Sequence, residues 1–282
     1  AWPAFTLRVE SNNDYGSLAA QLRLDNSLLG TGGVQTMGGV AAPSPVPYLN
    51  RMIQEAGVRI FGNVVSVEAG LLRRVWGKGD GLHVVDVLNP TDYSDPGRAG
   101  YVDSLIAVPM IVAEIPFRMQ GLVEVAYVPY LVPDAFAGEG RWRPAEYAEL
   151  AALAAAGVTI SGPPELKRLD AFQTGVRVTD TVGPVDAGLI YYYGFLKQPS
   201  VDLSSFVPLP VPGGSIALDY DRVHVAGAEL AAVLGPVNLR GEAALYATKD
   251  LDGTDPAVAN PDLRYLAGFD VNLPVSNINL NT

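Results

Sequence analysis

From Val237 to Thr248 the side chains change character at every residue. Val237, Leu239, Gly241, Ala243, Leu245 and Ala247 share one parity, while Asn238, Arg240, Glu242, Ala244, Tyr246 and Thr248 share the other. A period of two sends the two sets to opposite faces of an extended strand. One face is therefore apolar and the other carries charge. The pattern recurs along the chain. Val185, Ala187, Leu189, Tyr191, Tyr193 and Phe195 oppose Asp186, Gly188, Ile190, Tyr192 and Gly194. Leu263, Tyr265, Ala267, Phe269 and Val271 oppose Arg264, Leu266, Gly268, Asp270 and Asn272. Segments around Ala56, Val67 and Val125 behave alike.

This alternation predicts about twelve strands, at roughly 3–10, 15–26, 51–61, 64–75, 105–117, 120–131, 170–182, 185–195, 219–234, 237–248, 262–273 and 275–282. Most run about 8–14 residues, against about 5–6 for an ordinary strand and about 9–11 for a tilted membrane strand. Connections alternate in length. Short turns fall at Asn12-Asn13-Asp14, Gly62-Asn63, Phe117-Arg118-Met119, Gly183-Pro184, Gly235-Pro236 and Leu273-Pro274; long loops fall at about 27–50, 76–104, 132–169, 196–218 and 249–261. Short turns on one rim and long loops on the other predict an all-β, antiparallel, up-and-down transmembrane β-barrel, with 1–282 as a single domain and an outer-membrane location. The turns Thr181-Val-Gly-Pro-Val-Asp186 and Val233-Leu-Gly-Pro-Val-Asn238 are near copies, as expected of accumulated hairpins.

Composition narrows the alternatives. Charged residues make up only 17% of the chain and mean hydropathy is +0.19, yet no apolar run reaches the roughly 18 residues of a spanning helix. The absence of cysteine excludes a thiolate metal site, two histidines disfavour a multi-histidine one, and no cofactor is expected. A net charge of −11 disfavours nucleic acid. No nucleophile elbow and no His-Glu-x-x-His motif is present, so no enzyme is expected.

Inside the 132–169 loop, Arg143 to Gly157 reads as a short helix, with Pro144 at its start, Glu146 and Glu149 in its first turns and Gly157 as its stop. It is expected either to cap the loop or to plug the pore.

Candidate site residues come in two groups. The charges expected to line the inner face are Glu55, Arg59, Glu68, Arg74, Glu114, Glu124, Arg177, Asp186, Arg222, Arg240, Glu242, Arg264 and Asp270. They read either as cross-strand ion pairs in a filled interior or as a transverse field across an aqueous pore. Arg222, Arg240 and Arg264 on late strands and Glu68, Glu114 and Glu124 on earlier ones would form opposed basic and acidic walls. His224 is expected on the inner wall and His83 in a loop. The second group is Trp76-Gly-Lys-Gly-Asp-Gly81 with Asp86-Val-Leu-Asn-Pro-Thr-Asp92, in which Trp76, Lys78, Asp80, Asp86, Asn89 and Asp92 form a candidate constriction or loop motif. Its oxygens could ligate Ca²⁺, but the spacing is not that of an EF-hand loop, and Gly follows Lys78 where a phosphate-binding loop needs Ser or Thr. Tyr127, Tyr130, Tyr191, Tyr192, Tyr193, Phe195, Tyr246, Tyr265 and Phe269 could be core aromatics, and those of them on the apolar face suit an interfacial aromatic girdle.

Trp-Gly-Lys-x-Asp-Gly followed by Asp-Val-x-Asn-Pro-x-Asp resembles a porin-like family of bacterial outer-membrane β-barrels, distantly similar to alginate-export-type channels. Gly183–Gly194, Arg240–Tyr246 and Asp252–Pro256 followed by Asn260-Pro261 are similar to it too, so the resemblance covers most of 50–282. It implies an outer-membrane barrel and carries over no catalytic residue. In such barrels both chain ends lie on the short-turn side, whereas this pattern puts both on the other and ends at Thr282 rather than an aromatic residue. A fragment of a barrel of about 14 or more strands is therefore expected. Three functions remain open: a channel passing small polar or charged solutes, a non-transporting surface barrel acting through its loops, and a soluble all-β carbohydrate-binding protein. The bilayer is the expected partner in the first two; the oligomeric state is left open.

Overall fold

The computed structural model describes residues 5–24, 36–37, 40–41, 53–94, 100–138, 140–162, 169–207, 213–272 and 279–281. In chain order the strands are β1 (Phe5–Asn13), β2 (Gly16–Leu24), β3 (Thr36–Met37), β4 (Val40–Ala41), β5 (Ile53–Ile60), β6 (Ser66–Leu72), β7 (Val108–Pro116), β8 (Leu122–Val128) and β9 (Thr159–Ser161). They continue as β10 (Gln173–Val182), β11 (Val185–Phe195), β12 (Ser200–Asp202), β13 (Phe206–Val207), β14 (Gly213–Asp219), β15 (Arg222–Leu234), β16 (Val237–Ala247), β17 (Asp262–Asn272) and β18 (Asn279–Asn281). Helix α1 spans Tyr101–Ser104 and α2 spans Ala145–Ala155.

Twelve strands form one antiparallel sheet in the order β1-β2-β5-β6-β7-β8-β10-β11-β15-β16-β17-β18. Every neighbour in this wall follows its predecessor in sequence, so the predicted wall strands are found in order, the one expected at 275–282 being described only at Asn279–Asn281. The two near-copy turns use Gly183 and Gly235 at φ +59° and +63°, where a side chain would be strained. Among the described residues β1 and β18 are the two edges and the sheet does not close. Most of the expected 27–50 loop, and the turn at 273–274, lie outside the described residues.

The two faces are sorted in the reverse of a soluble protein. Leu189, Leu230, Leu245 and Tyr265 are 68%, 43%, 48% and 79% exposed, whereas Glu229 and Glu242 on the same strands are 2% and 3% exposed. Among the described residues no second layer covers the aliphatic face, which is the cover a soluble sandwich requires.

The sheet curls around the chain that leaves β6. A Cβ on Gly79 would come within 2.6 Å of Leu266 on β17, seven strands away in the sheet order. Seven strand spacings in a flat sheet cover roughly 34 Å, but the seven residues from Leu72 to Gly79 reach at most about 25 Å. Only a curved wall brings the two together.

The inner face has two zones. Toward the long loops it is apolar: Leu72, Val108, Met110, Val112, Val128, Ile190, Tyr192, Val223 and Val225 pack with Trp76, Val85, Val87 and Leu88 of the 73–104 connection as one buried cluster. Toward the short turns it carries the charges. Two other long connections join above the wall. Strand β9 pairs in parallel with β14, and Leu150 of α2 packs with Val158, Ile160, Ile216 and Leu218 as a separate core. The 132–169 helix is thus part of a cap; the inward-folded segment belongs to the connection after β6, described at 73–94 and 100–104. The strand expected at 219–234 breaks at Tyr220-Asp221, and residues 213–219 belong to the cap.

Candidate functional site

The inward fold of 73–104 depends on one carboxylate. Glu242 lies at the middle of β16 with its side chain fully buried. Its Oε1 accepts the backbone N–H groups of Lys78 and Gly79 at 2.7 and 2.6 Å, and its Oε2 accepts those of Val84 and Val85 at 2.7 and 3.3 Å. The His83 Nδ1 lies 3.0 Å from Oε1. The part-buried and buried donors of one turn of loop are satisfied by a single side chain, and the charge of that side chain is spread over several donors. Burial by itself lowers the His83 pKa, but the hydrogen bond and charge of Glu242 outweigh it and the net shift is upward.

The wall makes room for this loop with missing side chains. A Cβ at Gly175 on β10 would sit 2.7 Å from the Trp76 ring, and one at Gly227 on β15 would sit 2.9 Å from Val85. Each glycine marks a close approach of loop to wall.

Around the loop the inner charges form local groups. Arg59 is bonded to Glu114 and lies 3.9 Å from Glu68; Arg74 is bonded to Glu68 and lies 3.1 Å from Glu114. Arg177 bridges Glu124 at 2.8 Å and Glu229 at 2.6 Å. Lys78 reaches Asp186 at 2.8 Å, and Arg240 joins Asp80 at 3.1 Å to Asp270 at 2.8 Å. Glu55 lies 3.7 Å from Arg73. Expected opposed walls of single sign are not formed, because Arg59, Arg74, Arg177 and Arg240 are each matched by acids on nearby strands or on the loop, and Arg264 by Asp262 on its own strand at 2.7 Å.

Arg222 and His224 do not belong to this face. In β15 they share the parity of Ala226, Ala228 and Leu230, pair in register with Phe195 and Tyr193, and lie on the outer side. Arg222 is held there by three aromatic rings. Glu229 takes the inward place that was not anticipated; it sits in the Ala-rich run Ala228-Glu-Leu-Ala-Ala232, where alternation is faint, although Leu230 and Leu234 on the opposite parity point to it.

The motif residues are spent on folding the loop. Asn89 donates to the Leu72 and Ile106 carbonyls and accepts from the Arg74 backbone N–H. Asp86 accepts from the Tyr101 hydroxyl at 2.8 Å and the Trp76 N–H at 3.3 Å, and Asp92 accepts from Ser94. Among the described residues no three acidic or histidine side chains converge on a cation position.

Above the clamp, between loop and cap, lies a cavity of about 930 Å³, lined among others by His83, Asp86, Tyr101, Lys197, Tyr246 and Arg264. Burial raises the Asp86 pKa to about 7 and lowers that of Lys197 to about 7. Lys197 donates to Gln173 Oε1 and to the Tyr192 hydroxyl. Arg264 stacks over Tyr246 at 4.0 Å. Nothing in the local sequence around Lys197 marks it, since its burial comes from loops distant in the chain.

No family model matches the chain, and no curated protein matches it. Among solved structures it is similar to OmpT (in-vitro folded), an outer membrane protein of Vibrio cholerae, at 10% sequence identity and a TM-score of 0.43. The alignment takes in 97% of this chain and 64% of that one, so the chain spans just under two thirds of its length. The fold described above stands on strand register and on the sorting of the two faces, not on this likeness.

Proposed function

We propose that this chain is the wall of an outer-membrane β-barrel through which small polar or charged solutes pass, with the 73–104 segment as its constriction. The observation that carries the membrane reading is the inverted sorting of β11, β15 and β16: Leu189, Leu230 and Leu245 face out while Glu229 and Glu242 face in. A sheet in hydrocarbon must satisfy its backbone groups internally and offer lipid an aliphatic face. The channel reading is supported by paired charges beside an inward loop, which would set the size and charge of what passes. In it the inward-facing members of the charged set, from Glu55 to Asp270 and without Arg222, line the path.

A second reading, a surface barrel that does not conduct, is favoured by the buried cluster around Trp76 and Leu88, which fills the half of the interior toward the long loops. Planar-bilayer recording on the full-length protein separates the two. Discrete conductance steps that widen when Glu242 is replaced by Ala support the channel. A silent protein that is folded and inserted rejects it.

A further inference from the structure

We propose that the outer face of β10, β11, β15 and β16 binds a membrane lipid with an anionic headgroup, a proposal that rests on the membrane reading above. The observations concern the face turned away from the constriction. At its long-loop rim stands Arg222. Its guanidinium carbon lies 4.0, 4.9 and 5.4 Å from the ring centroids of Phe195, Tyr193 and Phe172. It donates to the backbone carbonyls of Phe172, at 2.7 Å, and of Asp170. Both acceptors are neutral, and among the described residues no carboxylate forms an ion pair with it. A guanidinium has five N–H donors and a charge that does not titrate away. Rings and carbonyls hold the group in place while leaving donors and charge for an anion. Beside it His224 is exposed, with its Nδ1 2.7 Å from the Tyr191 hydroxyl.

Lower on the same four strands lies an apolar groove of about 550 Å³. Small side chains, Ala187, Ala228 and Ala243, make its floor; Val178, Leu189 and Leu230 rise beside it, and Asp180, paired with Arg118 at 3.3 Å, closes it at the short-turn end, farthest from Arg222. From His224 to Ala228 the path along the strand is roughly 13 Å, and the groove continues to Ala187, two residues from the short turn that opens β11; it therefore runs below the aromatic rim at depths an acyl chain occupies in a hydrocarbon layer about 30 Å thick. A free anion would use the rim and ignore the groove, and a neutral lipid would use the groove and ignore Arg222. A cation at headgroup level directly above an acyl-sized slot fits one molecule that is anionic at one end and aliphatic at the other.

The test uses the full-length protein reconstituted in nanodiscs of phosphatidylcholine and phosphatidylglycerol, with retained lipids counted by native mass spectrometry. The wild type is expected to enrich phosphatidylglycerol about fivefold, the factor one basic residue contributes near an anionic surface. Arg222→Gln with His224→Gln is expected to abolish the enrichment but still retain lipid. Ala228→Phe with Ala243→Phe, which fills the groove and leaves the rim intact, is expected to lower retention of both lipids. No enrichment in the wild type, enrichment surviving the rim variant, or competition by inorganic phosphate as strong as by lipid overturns the proposal. Should the rim variant fail to fold, unchanged retention in the groove variant overturns it. Failure of the wild type to insert at all sinks the membrane reading itself, whereas insertion without lipid preference leaves that reading standing.

Discussion

Glu229 and Glu242 face each other as a direct register pair across β15 and β16, both side chains fully buried, and each is claimed by a different partner. Arg177 takes Glu229 from the β10 side through its Nε at 3.1 Å and its Nη2 at 2.6 Å, while the loop backbone takes Glu242. Like charges opposite one another repel, so the pair persists only because loop and arginine pull the two carboxylates toward separate donors.

Removal of the Glu242 carboxylate should therefore free the loop. Glu242→Ala leaves one buried and three part-buried backbone N–H groups without their acceptor, and a fully buried one costs about 1–3 kcal/mol when unsatisfied. A loss of about 3 kcal/mol or more is expected in urea unfolding of the micelle-folded protein, with Glu242→Gln intermediate because the amide keeps one acceptor oxygen.

Arg177→Met should cost about 3–5 kcal/mol, since it strands two buried carboxylates rather than removing a pair. Adding Glu124→Gln and Glu229→Gln should recover most of that loss. Strictly additive losses in the same unfolding assay would show that the three side chains do not act as one group.

Gly175→Val should displace the Trp76 ring, which a bare Cβ already meets at 2.7 Å. Overpacking of this kind costs about 1–3 kcal/mol. The expected signature is a red-shifted tryptophan emission with greater quenching by acrylamide, and Gly227→Leu should act similarly through Val85.

The inward loop should also respond to pH. Burial holds Asp86 at about 7, above the ordinary carboxylate value of 3.8. Its folded state prefers the proton, so its contribution is complete below about pH 4 and is lost as pH rises toward 7. Lys197 falls from 10.5 to about 7 through burial, so its contribution is present above about pH 10.5 and is lost as pH falls toward 7. The unfolding midpoint should thus dip near pH 7. Asp86→Asn should flatten the acid limb and Lys197→Met the alkaline limb; a wild-type profile flat from pH 5 to 10 would contradict both assignments.

Much of the wall could be read from parity alone, because alternation encodes both the strand and its facing. Parity misplaced Arg222 when charge was taken to mean inward; at a strand end an arginine can lie among rings on the outer side. Parity was also mute about the apolar inner zone, since Val223 and Val225 look the same whether they meet lipid or a folded loop. One signal was present: Ala107-Val-Pro-Met-Ile-Val-Ala113 is apolar on both faces, which is the mark of a strand covered on both sides. The Glu242 clamp was beyond reach, because it joins residues more than 150 positions apart through backbone donors that carry no side-chain signature.

The parallel pairing of Thr159–Ser161 with Ser215–Ala217 makes two connections into one folded unit. Surface engineering must treat them so: a tag or epitope grafted into either one has to preserve Ile160 or Ile216, because excising one partner strips the cover from the other and converts a quiet rim into a sticky one.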